Sequence, residues 1–432
     1  MRLAMFKNRV FLIINVLVLV LISCGNKTTA DNEQNLKNQK LLKEDNTIDV
    51  DTNIVVGANR TDLYLPLLED KRIGIVANQT SVLEVIERRA IGPSTMGNAK
   101  VTHHLVDYLH DYSAITVSKV FAPEHGFRGT ADAGEVVKDG IDTKTGIPIV
   151  SLYGKNKKPS PEQLADLDLV IFDIQDVGAR FYTYISSLHY VMEACAEANI
   201  PMLILDRPNP NGHYVDGPIL EQEHQSFVGM HPIPVVHGMT IGEYAKMING
   251  QAWLKDRMTC DITIIEMRNY SHNKSYSLPI QPSPNLPNDL AINLYPSLCF
   301  FEGTNVNAGR GTSKQFQIYG SPYLDKTVYN FKYIPMPNNG AKYPKHDNVL
   351  CYGEDLSSRS KMKQLDLSYL IRAYKNSIDK PKFFNDFFTK LAGTTDLRQQ
   401  IESGISEEDI RTTWEKGLKE FKKTRVKYLI YK

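Results

Sequence analysis

The chain has 432 residues, 42% hydrophobic and 23% charged, an ordinary globular composition with length for two or three packed units. Lys and Arg number 50 against 49 Asp and Glu, a formal net charge of +1. No global field therefore points to nucleic acid or an acidic polymer as partner.

The amino terminus reads as an export signal over residues 1–23. Arg2, Lys7 and Arg9 precede the apolar run Val10 to Ile22, which has the charge order of a secretory signal and is short for a bilayer span. It ends in Leu21-Ile22-Ser23-Cys24, which resembles a bacterial lipobox. Cys24 is thus expected to carry lipid and to hold the chain on a membrane without spanning it. The expected location is the periplasmic side of the cell envelope, and Gly25 in place of an aspartate favours the outer membrane. Residues 24–54 are polar and without aromatics, as in a flexible tether. The remaining cysteines, Cys195, Cys260, Cys299 and Cys351, form no Cys-x-x-Cys or zinc spacing, and disulfides or buried thiols are both compatible with them.

Folded structure is expected from Val55, with a short helix over Thr61 to Leu68 and a first strand over Ile73 to Ala77 that exits into Asn78-Gln79-Thr80. A helix over His103 to Asp111 leads to a strand over Ile115 to Phe121, which ends in Ala122-Pro123-Glu124-His125-Gly126-Phe127-Arg128-Gly129. Pro123 and Gly126 forbid simple continuation there. The strand Leu169 to Ile174 exits into Gln175-Asp176-Val177-Gly178-Ala179-Arg180, and a helix from about Tyr182 to Ala198 leads to the strand Met202 to Leu205, followed by Asp206-Arg207-Pro208-Asn209. Continuous apolar strands alternating with helices predict a parallel sheet covered on both faces. Asn78, Glu124, Asp176, Arg180, Asp206 and Arg207 would then gather at one rim, the edge where open α/β sheets bind ligands. Singly, such residues cap helices and make turns. Six at one edge suggest more.

After a loop-rich stretch from Pro208 to Pro234, Thr240 is a plausible cap for a helix. The α/β domain is assigned to residues 55–248 and a smaller α+β domain to 249–432. Within the latter, Ile262 to Met267, Val349 to Tyr352 and Lys427 to Tyr431 are strand candidates, and Leu367 to Ser377 and Glu407 to Phe421 helix candidates. Gln281 to Pro296 reads as irregular, and Glu302 precedes the turn Gly303 to Gly311.

Paired carboxylates are the leading chemical feature, because cleaving a glycosidic bond needs one carboxyl to donate a proton and a second to activate water or attack. Glu124, on a constrained loop, is the candidate acid. Asp132, Glu135, Asp176 and Glu302 are candidate partners. Asn305 and Arg310 offer donors to hydroxyl, amide and carboxylate groups, and Tyr182 and Tyr184 suit a sugar face. His103, Asp107 and His110 share a helix face but lack a second ligand cluster, so no metal is expected. No P-loop or Gly-x-Gly-x-x-Gly follows a strand, so neither is a nucleotide. Ser271-His272-Asn273-Lys274, Ser283-Pro284-Asn285 and Lys144-Thr145-Gly146 match serine acyl-enzyme motifs, but Lys-Thr-Gly comes first where those enzymes have it last.

Together, Ile75 to Thr80, Phe121 to Gly129, Asp173 to Tyr184, Leu205 to Pro210, Pro282 to Asn285 and Glu302 to Gly311 closely resemble the exo-β-N-acetylmuramidase family, over about Val55 to the C-terminus. The resemblance implies a Rossmann-like parallel-sheet domain followed by a smaller α+β domain, with the site in the cleft between them. It implies a glycosidase that needs no nucleotide and takes N-acetylmuramic acid from the non-reducing end of peptidoglycan fragments. The glutamate matching Glu124 would be the leading catalytic residue, assisted by Glu302 or Asp176 and oriented by His125. Asn78, Gln79, Asp206, Arg207 and Asn209 fall in the shared motifs as substrate-binding candidates. Arg128, Arg180 or Arg310 suits the lactyl carboxylate. The competing expectation is a lipid-anchored protein that binds muropeptides without cleaving them.

Overall fold

The computed structural model describes residues 53–92, 95–124, 126–128 and 139–432. Cys24, His125, Asp132 and Glu135 lie outside the described residues. Asn53–Lys432 form one compact unit. Among the described residues, no helix is long and apolar enough to cross a membrane.

The first part of that unit contains β1 (Arg72–Ala77), β2 (Val82–Gly92), β3 (Thr95–His104), β4 (Thr116–Ala122), β5 (Gly140–Ile141), β6 (Pro148–Ser151), β7 (Leu169–Asp173), β8 (Met202–Leu205) and β9 (Ile262–Ile265). Seven of these strands form one sheet in the order β5-β6-β4-β1-β7-β8-β9. It is parallel except where β5 meets β6. Numbering its parallel strands in chain order gives 3-2-1-4-5-6, the order of the Rossmann fold, whose ligand crevice opens where the order reverses. Here that point lies between β1 and β7.

The apolar runs are continuous because each strand feeds two cores. Ile73, Ile75, Ile171 and Leu203 pack on one face with Leu105, Val106 and Leu109, whereas Val76, Val170, Phe172 and Ile204 pack on the other with Ile185, Leu188 and Met192 of the helix Tyr184–Ala198. Successive residues of a strand point to opposite faces, and full burial of such a side chain stabilises by about 1.5–3 kcal/mol. The second core continues without interruption into Phe300, Phe301, Tyr319 and Phe388 of the C-terminal half. That half carries a small antiparallel sheet, β10 (Ile318–Ser321), β12 (Cys351–Asp355) and β11 (Phe331–Tyr333) in that order, and helices that include Ser368–Lys375 and Glu407–Arg425.

Several elements differ from expectation. The strand at 262–265, assigned to the second half, pairs with β8 as the last strand of the first sheet. Residues 289–298 form a helix despite Pro296; Asn288 caps it by accepting from Ala291 N–H. Proline denies a hydrogen bond to the carbonyl four residues back, and that carbonyl, Ile292 O, accepts instead from Asn211 Nδ2 at 3.0 Å. Residues 427–431 form no strand. Their Tyr431 hydroxyl donates to Asp206 at 2.8 Å. His103 belongs to β3 and so does not share a helix face with Asp107, which is held by Arg128 and Lys144. Cys195, Cys260, Cys299 and Cys351 are all buried free thiols.

Candidate active site

Glu124 leaves β4 in a tight turn, Gly126 N–H donating to Pro123 O at 3.0 Å. Gly126 has φ 73°, a left-handed conformation that glycine adopts without a Cβ penalty. The turn brings the Glu124 carboxylate to the hydroxyl of Thr183 at 2.8 Å and that of Tyr153 at 3.1 Å. Thr183 is the N-cap of the helix Tyr184–Ala198, so the carboxylate sits at the positive end of that helix.

From the other half, Glu302 and Arg310 form an ion pair across the glycine-rich turn, Arg310 Nε donating to Glu302 Oε1 at 2.8 Å. Burial alone would push the Glu302 carboxyl up, but Arg310 and Lys345 outweigh it and hold the group below its ordinary value. Lys345 is itself placed by three carbonyls of the same stretch, Phe301, Thr304 and Val306, at 2.9, 2.5 and 3.0 Å. Glu124, Glu302 and Arg310 line one cavity of about 150 Å³, with Tyr182, Tyr295 and Phe316 among its aromatic walls. A larger cavity of about 260 Å³ lies elsewhere, beside the start of the helix Asp289–Leu298. Among the described residues its lining carries a single carboxyl, Asp289, engaged by Ser277, where hydrolysis requires a pair.

The remaining candidates sit behind the cavity or apart from it. Asn78 is fully buried and spent on its own turn; its Nδ2 holds the Tyr184 hydroxyl at 2.8 Å, and that hydroxyl donates to Glu124 O at 3.4 Å. Gln79 Nε2 and the Tyr182 hydroxyl both hold the Pro282 carbonyl, at 3.2 and 2.7 Å. Asp176 is buried and does not line the cavity; burial raises its carboxyl to about 7 against the opposing backbone N–H groups of Gly178 and Val177. Arg180, expected at the rim, is fully buried and donates to the carbonyls of Pro218, Ile233, Leu391 and Ala392 at 2.7–2.9 Å. It joins the two halves of the chain and does not line the cavity.

Arg128 is committed to Asp107 and Asp142, and Arg207 to Asp173. Asp206 accepts from Thr240, Gly242 and Tyr431, and Asn209 bridges Met239 and Asn211. Asn305 uses its backbone on Phe383, Ser321 and His346 and does not line the cavity. Conversely, Tyr153, Lys345 and Phe316 carry weight the sequence did not signal. Tyr153 follows β6, a strand whose four residues begin with proline and give no periodicity. Lys345 and Phe316 lie in stretches with no repeating pattern.

One histidine ties this region to pH. His104 accepts the Val106 N–H on Nδ1 at 3.2 Å, so its Nε2 is the atom that carries hydrogen toward Asn78 O at 2.9 Å. Burial pushes it down from 6.5 to about 4. A base depressed on folding stabilises fully above its unfolded value and loses that contribution as pH falls through the folded one. The stability advantage of the native chain over His104→Gln is therefore expected to shrink between pH 6.5 and 4 in thermal melts. A pH-independent difference would refute this.

The paired carboxylates, one from a strand exit of a Rossmann-type sheet and one from the turn of the second half, can be set beside known proteins. A family model described as exo-β-N-acetylmuramidase NamZ, N-terminal, matches residues 73–290, and its C-terminal counterpart matches 293–431. The chain is 37% identical over 437 residues to the peptidoglycan β-N-acetylmuramidase NamZ of Bacillus subtilis (strain 168), covering 95% of this chain and 97% of that one. A solved DUF1343 family protein of Bacteroides fragilis shares 45% identity at a TM-score of 0.77, and another from that organism 26% at 0.71; each alignment covers 88% of this chain and 99% of the other. Both halves of the fold and both carboxylate-bearing stretches fall within the matched segments, and the chain is a member of the exo-β-N-acetylmuramidase NamZ family.

Proposed function

We propose that this chain hydrolyses the β-glycosidic bond that joins a terminal N-acetylmuramic acid to the rest of a peptidoglycan fragment, releasing the sugar from the non-reducing end in cell-wall turnover. The observation that carries this is the shared cavity: Glu124 from one half faces it together with the Glu302–Arg310 pair from the other. Among the described residues they are the two carboxyl groups in its lining. Glu302, paired with Arg310 and held below its ordinary range, suits the role of the anion. Glu124 is then the group that protonates the departing glycosidic oxygen as the C–O bond breaks. The positive charge that develops at the anomeric carbon and ring oxygen is stabilised by the Glu302 anion, and water adds to the anomeric carbon, its proton returning to the Glu124 carboxylate.

The lactyl carboxylate is assigned to Arg310, the cation in the cavity lining among the described residues; Arg128 and Arg180 are committed elsewhere. The aromatic walls supply apolar area for a sugar face. No step calls on a metal or a nucleotide. The test is turnover of a chromogenic N-acetylmuramic acid β-glycoside by the full chain. Release of the sugar supports the assignment, and tight binding without release would favour a muropeptide receptor.

We also propose that Cys24 is lipidated and fixes the enzyme to the cell envelope, supported by the basic, apolar and lipobox order of residues 2–24. One chain of lipid binds a membrane only reversibly, and stable anchoring takes more than one. Cys24→Ala is expected to move the protein from the membrane pellet to the soluble fraction and to abolish labelling by a clickable fatty acid. Persistent labelling would contradict it.

A further inference from the structure

The loop 282–285 contributes Ser283 and Asn285 to the cavity lining, and the structure holds Asn285 in one orientation. Its Nδ2 donates to Gly340 O at 2.6 Å, and its backbone N–H donates to Ser283 Oγ at 3.2 Å. A carbonyl can only accept, so Gly340 fixes which end of the amide is nitrogen. The other end, Oδ1, is buried and has no hydrogen-bond partner among the described residues. Asn285 as a whole is 1% exposed. The preceding Pro282 carbonyl is pinned by Gln79 and Tyr182, so the loop that presents the amide is itself anchored. Gly340 has φ 99°, and a Cβ there would lie 2.7 Å from Pro284 Cβ and 3.2 Å from Asn285 Nδ2. A side chain at this position would press on Pro284 and on the amide.

A fixed, buried acceptor beside a sugar site calls for a donor that does not rotate away. We propose that Asn285 Oδ1 accepts the N–H of the 2-acetamido group, making Asn285 the residue that selects N-acetylated sugars. This rests on the glycosidase assignment above for the identity of the ligand. Glu124, held by Thr183, is assigned to the scissile oxygen, Glu302 to the developing charge and Arg310 to the carboxylate, while the Tyr182 hydroxyl donates to Pro282 O and Ser283 Oγ accepts from Asn285 N–H. Sites built to bond a substrate N–H reject the analogue that lacks it by orders of magnitude, because the buried acceptor is left unpaired.

The test titrates the full chain calorimetrically with N-acetylmuramic acid and with its analogue bearing 2-acetoxy in place of 2-acetamido, which keeps the carbonyl and methyl and loses only the N–H. The native protein is expected to bind the analogue at least about 100-fold more weakly. Asn285→Ala is expected to bind both sugars within about threefold of each other. Gly340→Ala, which crowds the amide without removing it, is expected to lower the preference and decides the matter should Asn285→Ala fail to fold. Equal binding of both sugars by the native chain, no binding of N-acetylmuramic acid, or full preference retained in either folded variant overturns the assignment. Hydrolysis of the chromogenic glycoside is measured on the same samples. Selective binding without hydrolysis refutes the glycosidase and leaves the role of Asn285 standing; hydrolysis without selectivity does the reverse.

Discussion

Glu124→Gln is expected to lower the release of N-acetylmuramic acid by about 10²–10⁴-fold, the span typical for loss of a positioned general acid, while the chain stays folded. The amide is nearly isosteric with the carboxylate. Its oxygen can still accept from one of the hydroxyls of Thr183 and Tyr153, and its nitrogen can donate to the other, so the turn at Pro123–Gly126 has no reason to move. What is lost is the acidic proton. The measurement is kcat for a chromogenic glycoside alongside a melting curve. An aryl leaving group of low pKa needs little protonation, so the defect is expected to be smaller for a nitrophenyl glycoside than for a natural disaccharide. Near-normal turnover of the disaccharide by a folded Glu124→Gln protein would remove Glu124 from the mechanism.

The largest stability effect is expected at Asp173. This residue ends β7 with no exposure and receives Arg207 in a two-point contact, Nε to Oδ1 at 2.6 Å and Nη2 to Oδ2 at 2.9 Å. Arg207 also donates to Val82 O at 2.8 Å, tying the rim of β8 to the start of the β2–β3 hairpin. Asp173→Ala strands a guanidinium whose side chain is 3% exposed, and breaking a buried pair from one side costs about 3–5 kcal/mol. That is a large share of the roughly 5–15 kcal/mol that holds a typical domain folded. Urea titration should show the midpoint falling steeply. Because much of the cost is the unpaired charge, the double change Asp173→Leu with Arg207→Met is expected to recover a good part of it. A double variant no better than Asp173→Ala would show that the Val82 contact matters more than the charge.

The parts of this protein legible from its residues are those in which local chemistry and burial coincide. Ile73 to Ala77, Leu169 to Ile174 and Met202 to Leu205 read as parallel strands because both faces are covered, and their polar exits read as a rim for the same reason. Thr240 reads as a cap, and the structure has its hydroxyl accepting from Glu243 N–H in a reciprocal box. The β2–β3 hairpin was not legible: its strands expose Ile86 and Met96 among charged neighbours, so no apolar alternation marks them. The helix Asp289–Leu298 was hidden by Pro296, whose effect is offset by a side chain 85 positions away, since Asn211 takes the freed Ile292 carbonyl.

The residues alone determined a parallel sheet covered on both faces, the turn that presents Glu124 and the glycine-rich turn that carries Glu302 and Arg310, since periodicity and turn chemistry act over a few neighbours. Only the tertiary structure decided which polar groups at the rim line the cavity. Arginines 128, 180 and 207 look alike as strand-exit cations, yet each is spent on carboxylates or carbonyls brought from distant parts of the chain. Asn285, by contrast, keeps an acceptor unpaired because Gly340 occupies its other end. A buried polar group must find a partner, and which partner it finds depends on contacts that no local pattern records.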